Sequence, residues 1–562
     1  MRWGSSFTFV LFLTTAPVAK AAIGPVATLY VVNKNISPDG FTRPASVVNG
    51  AHPGPLIIAK KGETFKLNAV NQLSDITQER GTSIHWHGLF QKGTNFMDGA
   101  AGITQCPIAP GNAFQYSFSA DSAGTFWYHS HFGLQYCDGV RGPIVIYDPS
   151  DPLKAFYDES TVITLSEWYH TVASSISGIP VADSTLINGK GRFPGGPKTD
   201  LAAVNVQQGK RYRLRVISIS CGPSFTFSID DHNLRVIEVE GNAVRPITVN
   251  SVNILAGQRY SIVLDACQPI GNYWIRAMPS SGRRNLPISF DGGINSAILR
   301  YKGAPNSEPT SVKQTTTNAL VETDLHPLVS PFAPGRPQAD GADMTVNLTF
   351  GFDPTTKKYS VNGAVFEPPS VPVLLQILNG ARTPEELLPA GGVITVPRNK
   401  VIQVNVPSGL RGGPHPLHMH GHDFSVVRCA DAGHFNFLDP VRRDVVNMGQ
   451  TRGDFVSIRF KTDNPGPWIF HCHIDFHLGA GLAIVFAEAP YQTPKANPAP
   501  ESWKNLCPIW DALPDDIKHT KLADKGVVNV TPNSRLSPCT IPAFLRPSWC
   551  EVSGSRYLSF NP

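Results

Sequence analysis

Short apolar runs broken by turn residues recur along almost the whole chain. Phe114-Gln115-Tyr116-Ser117-Phe118 and Gln403-Val404-Asn405-Val406 alternate apolar with polar positions. That period of two is the signal of strands with one buried face. Gly, Pro, Asn and Asp punctuate the runs, as they do between the short strands of all-β sandwiches. Few stretches carry a long helical period. Thr383 to Leu388 reads as a short helix started by Thr383-Pro384-Glu385-Glu386.

One pattern returns along the chain. GTFWYHSHFGLQYCDGVRGPIVIYD begins at Gly124 and GPWIFHCHIDFHLGAGLAIVFAE begins at Gly466. Both run from Gly through aromatics to His-x-His, and both close on an apolar strand. IHWHG at Ile84 likewise resembles LHMHG at Leu417. GNYWIRA from Gly271 keeps the Gly and the aromatics but has no histidine. Internal similarity of this kind predicts three related β-sandwiches, with metal in the outer two and none in the middle one. Pro, Asp, Ser and Thr accumulate near Tyr147 to Pro152 and Thr315 to Thr323. The expected domains are therefore 22–150, 151–320 and 321–525, with an atypical tail at 526–562.

Composition narrows the classes. The charged fraction is 16%, and 49 Gly with 49 Pro suit strands and turns better than helices. A formal charge of +5 is small for 562 residues. No Lys or Arg run suggests nucleic acid, and no acidic block suggests a tail. Arg2, the apolar stretch Phe7 to Leu13, and Ala19-Lys20-Ala21 read as a secretory leader over 1–21, with the mature start at Ala22. No later segment has the ~18 uninterrupted apolar residues of a membrane span. The expectation is an exported, extracellular, soluble protein. Nine cysteines fit an oxidising compartment, and the odd count leaves at least one outside an internal pair. Asn35, Asn347 and Asn529 stand in glycosylation sequons.

The histidine spacing carries the chemistry. Four His-x-His pairs occur: His85/His87, His129/His131, His418/His420 and His471/His473. They use eight of the chain's 17 histidines. Residues two apart on a strand share a face, so each pair can aim two imidazoles at one point. Neutral imidazole suits copper, zinc, iron and nickel. A zinc site needs about four ligands, so zinc does not account for eight convergent imidazoles. Cys472 sits between His471 and His473, and the same alternation sends it to the opposite face. With His415 and His477 nearby in sequence it makes a His₂Cys set, the ligand pattern of a blue-copper electron-transfer site.

IHWHG, WYHSH, HPLHMHGH and HCHIDFHLGAGLA resemble the four copper signatures of multicopper oxidases. FQKGTNFMDG, QYCDGVRGP, TLINGKGR, YWIRA, GGINSAILRY and KTDNPGPW extend the resemblance to fungal, basidiomycete-like laccases, from about Ala22 to about Leu522. The resemblance implies three cupredoxin-like Greek-key sandwiches and four copper ions. His415, Cys472 and His477 would hold the type 1 copper, with Leu482 as an axial non-ligand. His85 and His418 would hold type 2, and His87, His129, His131, His420, His471 and His473 the type 3 pair. It further implies one-electron oxidation of phenols and related aromatics at the His477 edge, coupled to four-electron reduction of dioxygen to water. Asp98 matches an acidic residue near the cluster, a proton carrier, and equally reads as a turn residue before Gly99. Asp444 and Asp475 are weaker acidic matches. Disulfides would join Cys106 to Cys507 and Cys137 to Cys221, leaving Cys267 and Cys429 as buried free thiols; pairing of Cys539 with Cys550 in the tail stays open.

The chain departs from the pattern at Gly222, where many fungal laccases carry an Asp that contacts the donor. A more open, less acidic donor pocket is expected there. A monomer acting on small aromatic donors and dioxygen, with no nucleic-acid or membrane partner, is the overall expectation. Rival readings are a ferroxidase or another multicopper oxidase, and a non-catalytic copper-binding protein. A ferroxidase needs acidic residues at the type 1 edge. A binding protein has no need of Cys472 between two metal centres.

Overall fold

The computed structural model describes residues 22–280 and 289–518. The expected leader 1–21, the tail 526–562, Asn529, Cys539 and Cys550 lie outside the described residues. Among the described residues, strand pairing falls into three successive groups. The first runs from Val26–Ile36 to Arg141–Tyr147 as two four-stranded sheets. The second runs from Glu159–Trp168 to Ser296–Tyr301 as a seven-stranded and a five-stranded sheet. The third runs from Met344–Asn347 to Ala483–Glu488 as two five-stranded sheets, with the hairpin Phe350–Asp353 and Lys358–Val361 beside them. Strands of this length bury enough only by packing face to face, which gives the β-sandwich.

The repeat in the sequence is a repeat in register. In the first unit one sheet carries the strands Ile57–Lys60, Arg141–Tyr147, Gly124–Ser130 and Ile84–His87, in that order. The second unit repeats the order as Ala203–Val206, Ser296–Tyr301, Asn272–Pro279 and Phe225–Ile229. The third gives Val393–Val396, Ala483–Glu488, Gly466–Cys472 and Pro416–Met419. In each, the first pair is parallel and the next two are antiparallel. The three Gly-aromatic segments therefore hold one position in three copies of one sheet.

Gly124–Ser130 and Gly466–Cys472 are buried along their whole length, on both faces. One face fills the sandwich core; the other lies against a neighbouring unit. The polar side chains on that second face sit away from water and need partners, and metal is one kind of partner.

Helices are few and short. The short helix expected at Thr383 to Leu388 is only a 3-10 turn, Pro384–Glu386, with the Glu386 carboxylate accepting the Arg382 and Thr383 N–H groups at 2.7 and 3.1 Å. A helix that the periodicity gave no sign of, Asp475–Gly479, carries His477. Disulfides join Cys106 to Cys507 and Cys137 to Cys221. The first ties the first sandwich to the helix Leu506–Asp511, and the second ties it to the middle one. Cys429 is buried and free, but Cys267 is exposed, so the expectation of burial is corrected there. Cys267 follows the strand Arg259–Asp265 on an open rim of the middle sandwich, outside its core.

Candidate metal centres

The four His-x-His pairs come from two adjacent strands in each outer sandwich. His85 stands opposite His129, and His418 opposite His471. His131, His420 and His473 fall just past their strand ends, but their N–H groups still bond to Ser83, Ile469 and Pro416. The strand pattern thus runs on, and all eight rings converge between the two sandwiches. His418 Nε2 is 3.5 Å from His85 Nε2, His420 Nε2 is 3.2 Å from His471 Nε2, and His473 Nε2 is 3.1 Å from His87 Nδ1.

The outward nitrogens are held. Those of His85, His129, His418 and His471 bond to main-chain oxygens of Asp98, Ser130, Asp444 and Cys472 at 2.8–2.9 Å. His420 Nδ1 donates to Asp98 Oδ2 at 2.8 Å. A carbonyl can only accept, so these contacts put the proton on Nδ1 and leave Nε2 bare, facing inward. His87 is turned the other way: Nε2 meets Asp444 Oδ1 at 3.0 Å and Nδ1 faces the cluster. Burial, with repulsion between neighbouring rings, holds His87, His129, His418, His420, His471 and His473 below the usual imidazole range and His131 at about 3. These rings are neutral and able to ligate.

Alternation sends Cys472 to the other face of its strand. There its Sγ lies 3.5 Å from His415 Nδ1 and 3.7 Å from His477 Nδ1, which are 3.1 Å from each other. His415 is held by its own loop, and His477 by the short helix that begins three residues past Cys472. Burial lowers His415 to about 4 and His477 to about 3, and pushes the Cys472 thiol up. A buried thiol of that kind becomes a thiolate only beside a cation. Leu482 is buried and its carbonyl accepts the Cys472 N–H at 3.1 Å, so it stands beside this site.

Asp98 is both the residue before the Gly99 turn and a neighbour of the cluster imidazoles. Gly99 has φ +85°, and a Cβ there would lie 1.8 Å from the Ile84 oxygen, so the turn needs glycine. Asp98 Oδ2 meanwhile holds His420. Its Oδ1 is 3.2 Å from His85 Nδ1, whose proton goes to the Asp98 carbonyl, and is left buried without a hydrogen-bond donor. Asp475 lies against the Cys137–Cys221 disulfide, with Oδ2 3.7 Å from Cys137 Sγ. Burial pushes its carboxyl well up.

Comparison with known proteins places this geometry. The multicopper oxidase family matches at residues 30–151, 159–304 and 366–492. Laccase-2 of Trametes versicolor is 55% identical over 515 residues, 90% of this chain and 98% of that protein. The laccase of Pycnoporus cinnabarinus is 53% identical, over 92% and 100%. The crystal structure of the Botrytis aclada laccase superposes with a TM-score of 0.74 at 32% identity, covering 87% of this chain and 92% of that one. The chain belongs to the multicopper oxidase family, among its fungal laccases.

The donor set of this multicopper oxidase fits copper. The Nε2 atoms of His129 and His131 are buried with no hydrogen-bond partner. The His₂Cys set behind them combines one thiolate with two imidazoles, the donors that favour copper. The middle sandwich, which has no His-x-His pair, also builds the site. Arg259, from its strand Arg259–Asp265, grips both Asp444 oxygens at 2.6 Å and so fixes the carboxylate that holds His87. A Cβ at Gly257 would lie 2.9 Å from His473 and 3.0 Å from His87. Tyr136 donates its hydroxyl to the His473 carbonyl at 2.9 Å and sits 3.2 Å from His473 Nδ1. Nothing local in the sequence marked Arg259, Gly257 or Tyr136; their roles arise only across domain contacts.

Asp423, half-buried, adds an acid beside this network. Its Oδ2 accepts from Asn242 at 2.7 Å and its Oδ1 has no partner. Burial, reinforced by Asp444, raises its carboxyl from 3.8 to about 7 against the pull of Asn242 and Arg259. The folded state then holds a proton that the unfolded chain releases near pH 4. Its stability relative to a neutral side chain is unchanged below that pH and falls as the pH rises to about 7. In the chelated, metal-free protein, Asp423→Asn is expected to match wild type in Tm near pH 4. It should be more stable by on the order of 4 kcal/mol at pH 8. A Tm difference that stays flat with pH would contradict this.

Proposed function

We infer that the chain oxidises phenols and related aromatic donors one electron at a time and reduces dioxygen to water. The observation that carries this is Cys472, whose Sγ lies between His415 and His477 while the flanking His471 and His473 face the eight-imidazole cluster. We assign His415, Cys472 and His477 to a type 1 copper, with Leu482 in the axial place. His85 and His418 go to type 2, and His87, His129, His131, His420, His471 and His473 to a type 3 pair, four ions in all. Copper bound there supplies the redox chemistry, taking single electrons from the aromatic donor and delivering four to dioxygen.

The chain's own groups do the rest. His477 is half-buried where His415 is fully buried, so its outer edge is where a donor ring can approach. Asp98 and Asp444 orient the cluster imidazoles and place negative charge behind them. Asp98 Oδ1, buried without a donor, is the atom at which a proton bound for reduced oxygen can be held. Gly257, Trp127 and Tyr136 wall the cluster from bulk water. Among the described residues no helix is long and apolar enough to cross a membrane. An exported monomer, glycosylated at Asn35 and Asn347 (both exposed) and at Asn529, completes the proposal. Gly222 stands where many fungal laccases carry an Asp, so that position offers no carboxylate to Fe(II).

Gly222 leaves little room. A Cβ there would lie 2.7 Å from the Tyr169 hydroxyl, which must swing aside for any larger side chain.

Dioxygen uptake by the copper-loaded protein, measured with a methoxyphenol, ascorbate and Fe(II) side by side, should be fastest with the phenol and leave no peroxide. Preference for Fe(II) or ascorbate would overturn the donor assignment. Leu482→Met adds a weak sulfur ligand that favours Cu(II), so redox titration should show a lower type 1 potential; an unchanged potential would remove Leu482 from the axial place. Gly222→Asp should lower KM several-fold for cationic aromatic amines and reshape the pH profile, and identical profiles would show that position 222 does not reach the donor.

A further inference from the structure

The loop before His415 forms one wall of a cleft of about 440 Å³, within the usual range for small-molecule sites. Phe350 and Phe352 of the hairpin form another wall, and Leu410 and Met448 add apolar surface. Two guanidiniums, Arg411 and Arg452, complete the lining, which contains no carboxylate. Arg411 lies over the Phe352 ring, 5.6 Å from its centroid. Neither arginine has an ion-pair partner among the described residues. The nearest acids in sequence are engaged elsewhere. Asp353 accepts from Thr355 and Thr356 at 2.8 Å, and Asp454 pairs with Arg428 at 2.6 Å.

The cleft is joined to the His₂Cys site. The Arg411 carbonyl accepts from His415 Nε2 at 3.2 Å and from the Tyr359 hydroxyl at 3.0 Å. The Tyr359 ring is 4.8 Å from Phe352 and 4.9 Å from His477. The Cβ position of Gly412, the residue after Arg411, is 3.4 Å from His477 Cε1 and Nε2. A molecule in this cleft therefore lies beside the donor edge.

We infer that the cleft binds aromatic carboxylates, with the ring against Phe350 and Phe352 and the carboxylate on Arg411 and Arg452. Planar guanidinium suits a carboxylate through paired N–H donors, and unpaired cations give up no existing ion pair to receive it. This deepens the proposed function, on which it rests for its meaning, by naming phenols that bear a carboxylate as favoured donors. Gly222 supports the same preference, since no acid stands there to repel an anion. The guanidiniums are exposed, so the attraction weakens with salt.

The test uses the copper-loaded protein and 4-methoxybenzoate, which has the ring and the charge but no phenol to oxidise. Calorimetric titration should show it binding about tenfold more tightly than the neutral 4-methoxybenzamide, with the difference shrinking as salt is raised. The double variant Arg411→Gln, Arg452→Gln should abolish that discrimination. In turnover, the ratio of KM for a carboxylated methoxyphenol to KM for its neutral counterpart should rise about tenfold in the variant. Equal affinity for acid and amide in wild type, or an unchanged ratio in the double variant, would overturn the inference. The benzoate is not a donor, so wild-type protein that binds it but consumes no dioxygen with the carboxylated or the neutral methoxyphenol would overturn the oxidase reading and leave the cleft assigned.

Discussion

One strand fixes the geometry of both metal centres. Gly466–Cys472 runs through the third sandwich, and its end reads His471-Cys472-His473. The two-residue period of a strand puts the imidazoles on one face and the thiol on the other. Nothing else need be specified for the two centres to be neighbours, since their ligands are consecutive residues. The rest of the fold brings partners to each face: the first sandwich to the imidazole side, and the His415 loop and the helix Asp475–Gly479 to the thiol side. A one-residue slip in that strand's register would exchange the faces and destroy both sites. Its complete burial and its pairing with Ala483–Glu488 and Pro416–Met419 guard against this.

The middle sandwich is the clamp. It has lost the histidines of its sister units but keeps their strand order, and it uses that frame to hold the other two. Arg259 reaches from it to Asp444, and Asp444 to His87 and His418. Three sandwiches thus meet at one buried ion pair behind the cluster. A buried pair of this kind is weak evidence for stability, because desolvation offsets much of the attraction. Its value here is in fixing ring orientation, which a flexible surface contact would not do.

The donor side follows different physics. The cluster is closed, with neutral imidazoles backed by the Asp98 and Asp444 carboxylates, while the half-buried His477 stands near a cleft with aromatic walls and two arginines. Closed burial keeps imidazoles unprotonated; an open, cationic rim selects what approaches. Gly222 in place of an acid and Arg411 in the neighbouring cleft both move the charge near this edge away from the acidic.

The sequence by itself determined the class of fold, the threefold repeat and the eleven ligand candidates. Nine of the eleven, the paired imidazoles and Cys472, are written in alternation or in spacing of two, which strands turn directly into faces; His415 and His477 stand outside that pattern, on a loop and a short helix. Tertiary structure alone decided which nitrogen of each ring points inward, as with the reversed His87. It decided that Asp98 is at once a turn residue and a partner of His420, and that Cys267 lies at the surface. It brought in Arg259, Gly257 and Tyr136, and it set Arg411 beside His415 and His477. These facts depend on contacts between residues far apart in the chain, and a strand's period says which face a side chain takes but not what it will meet there.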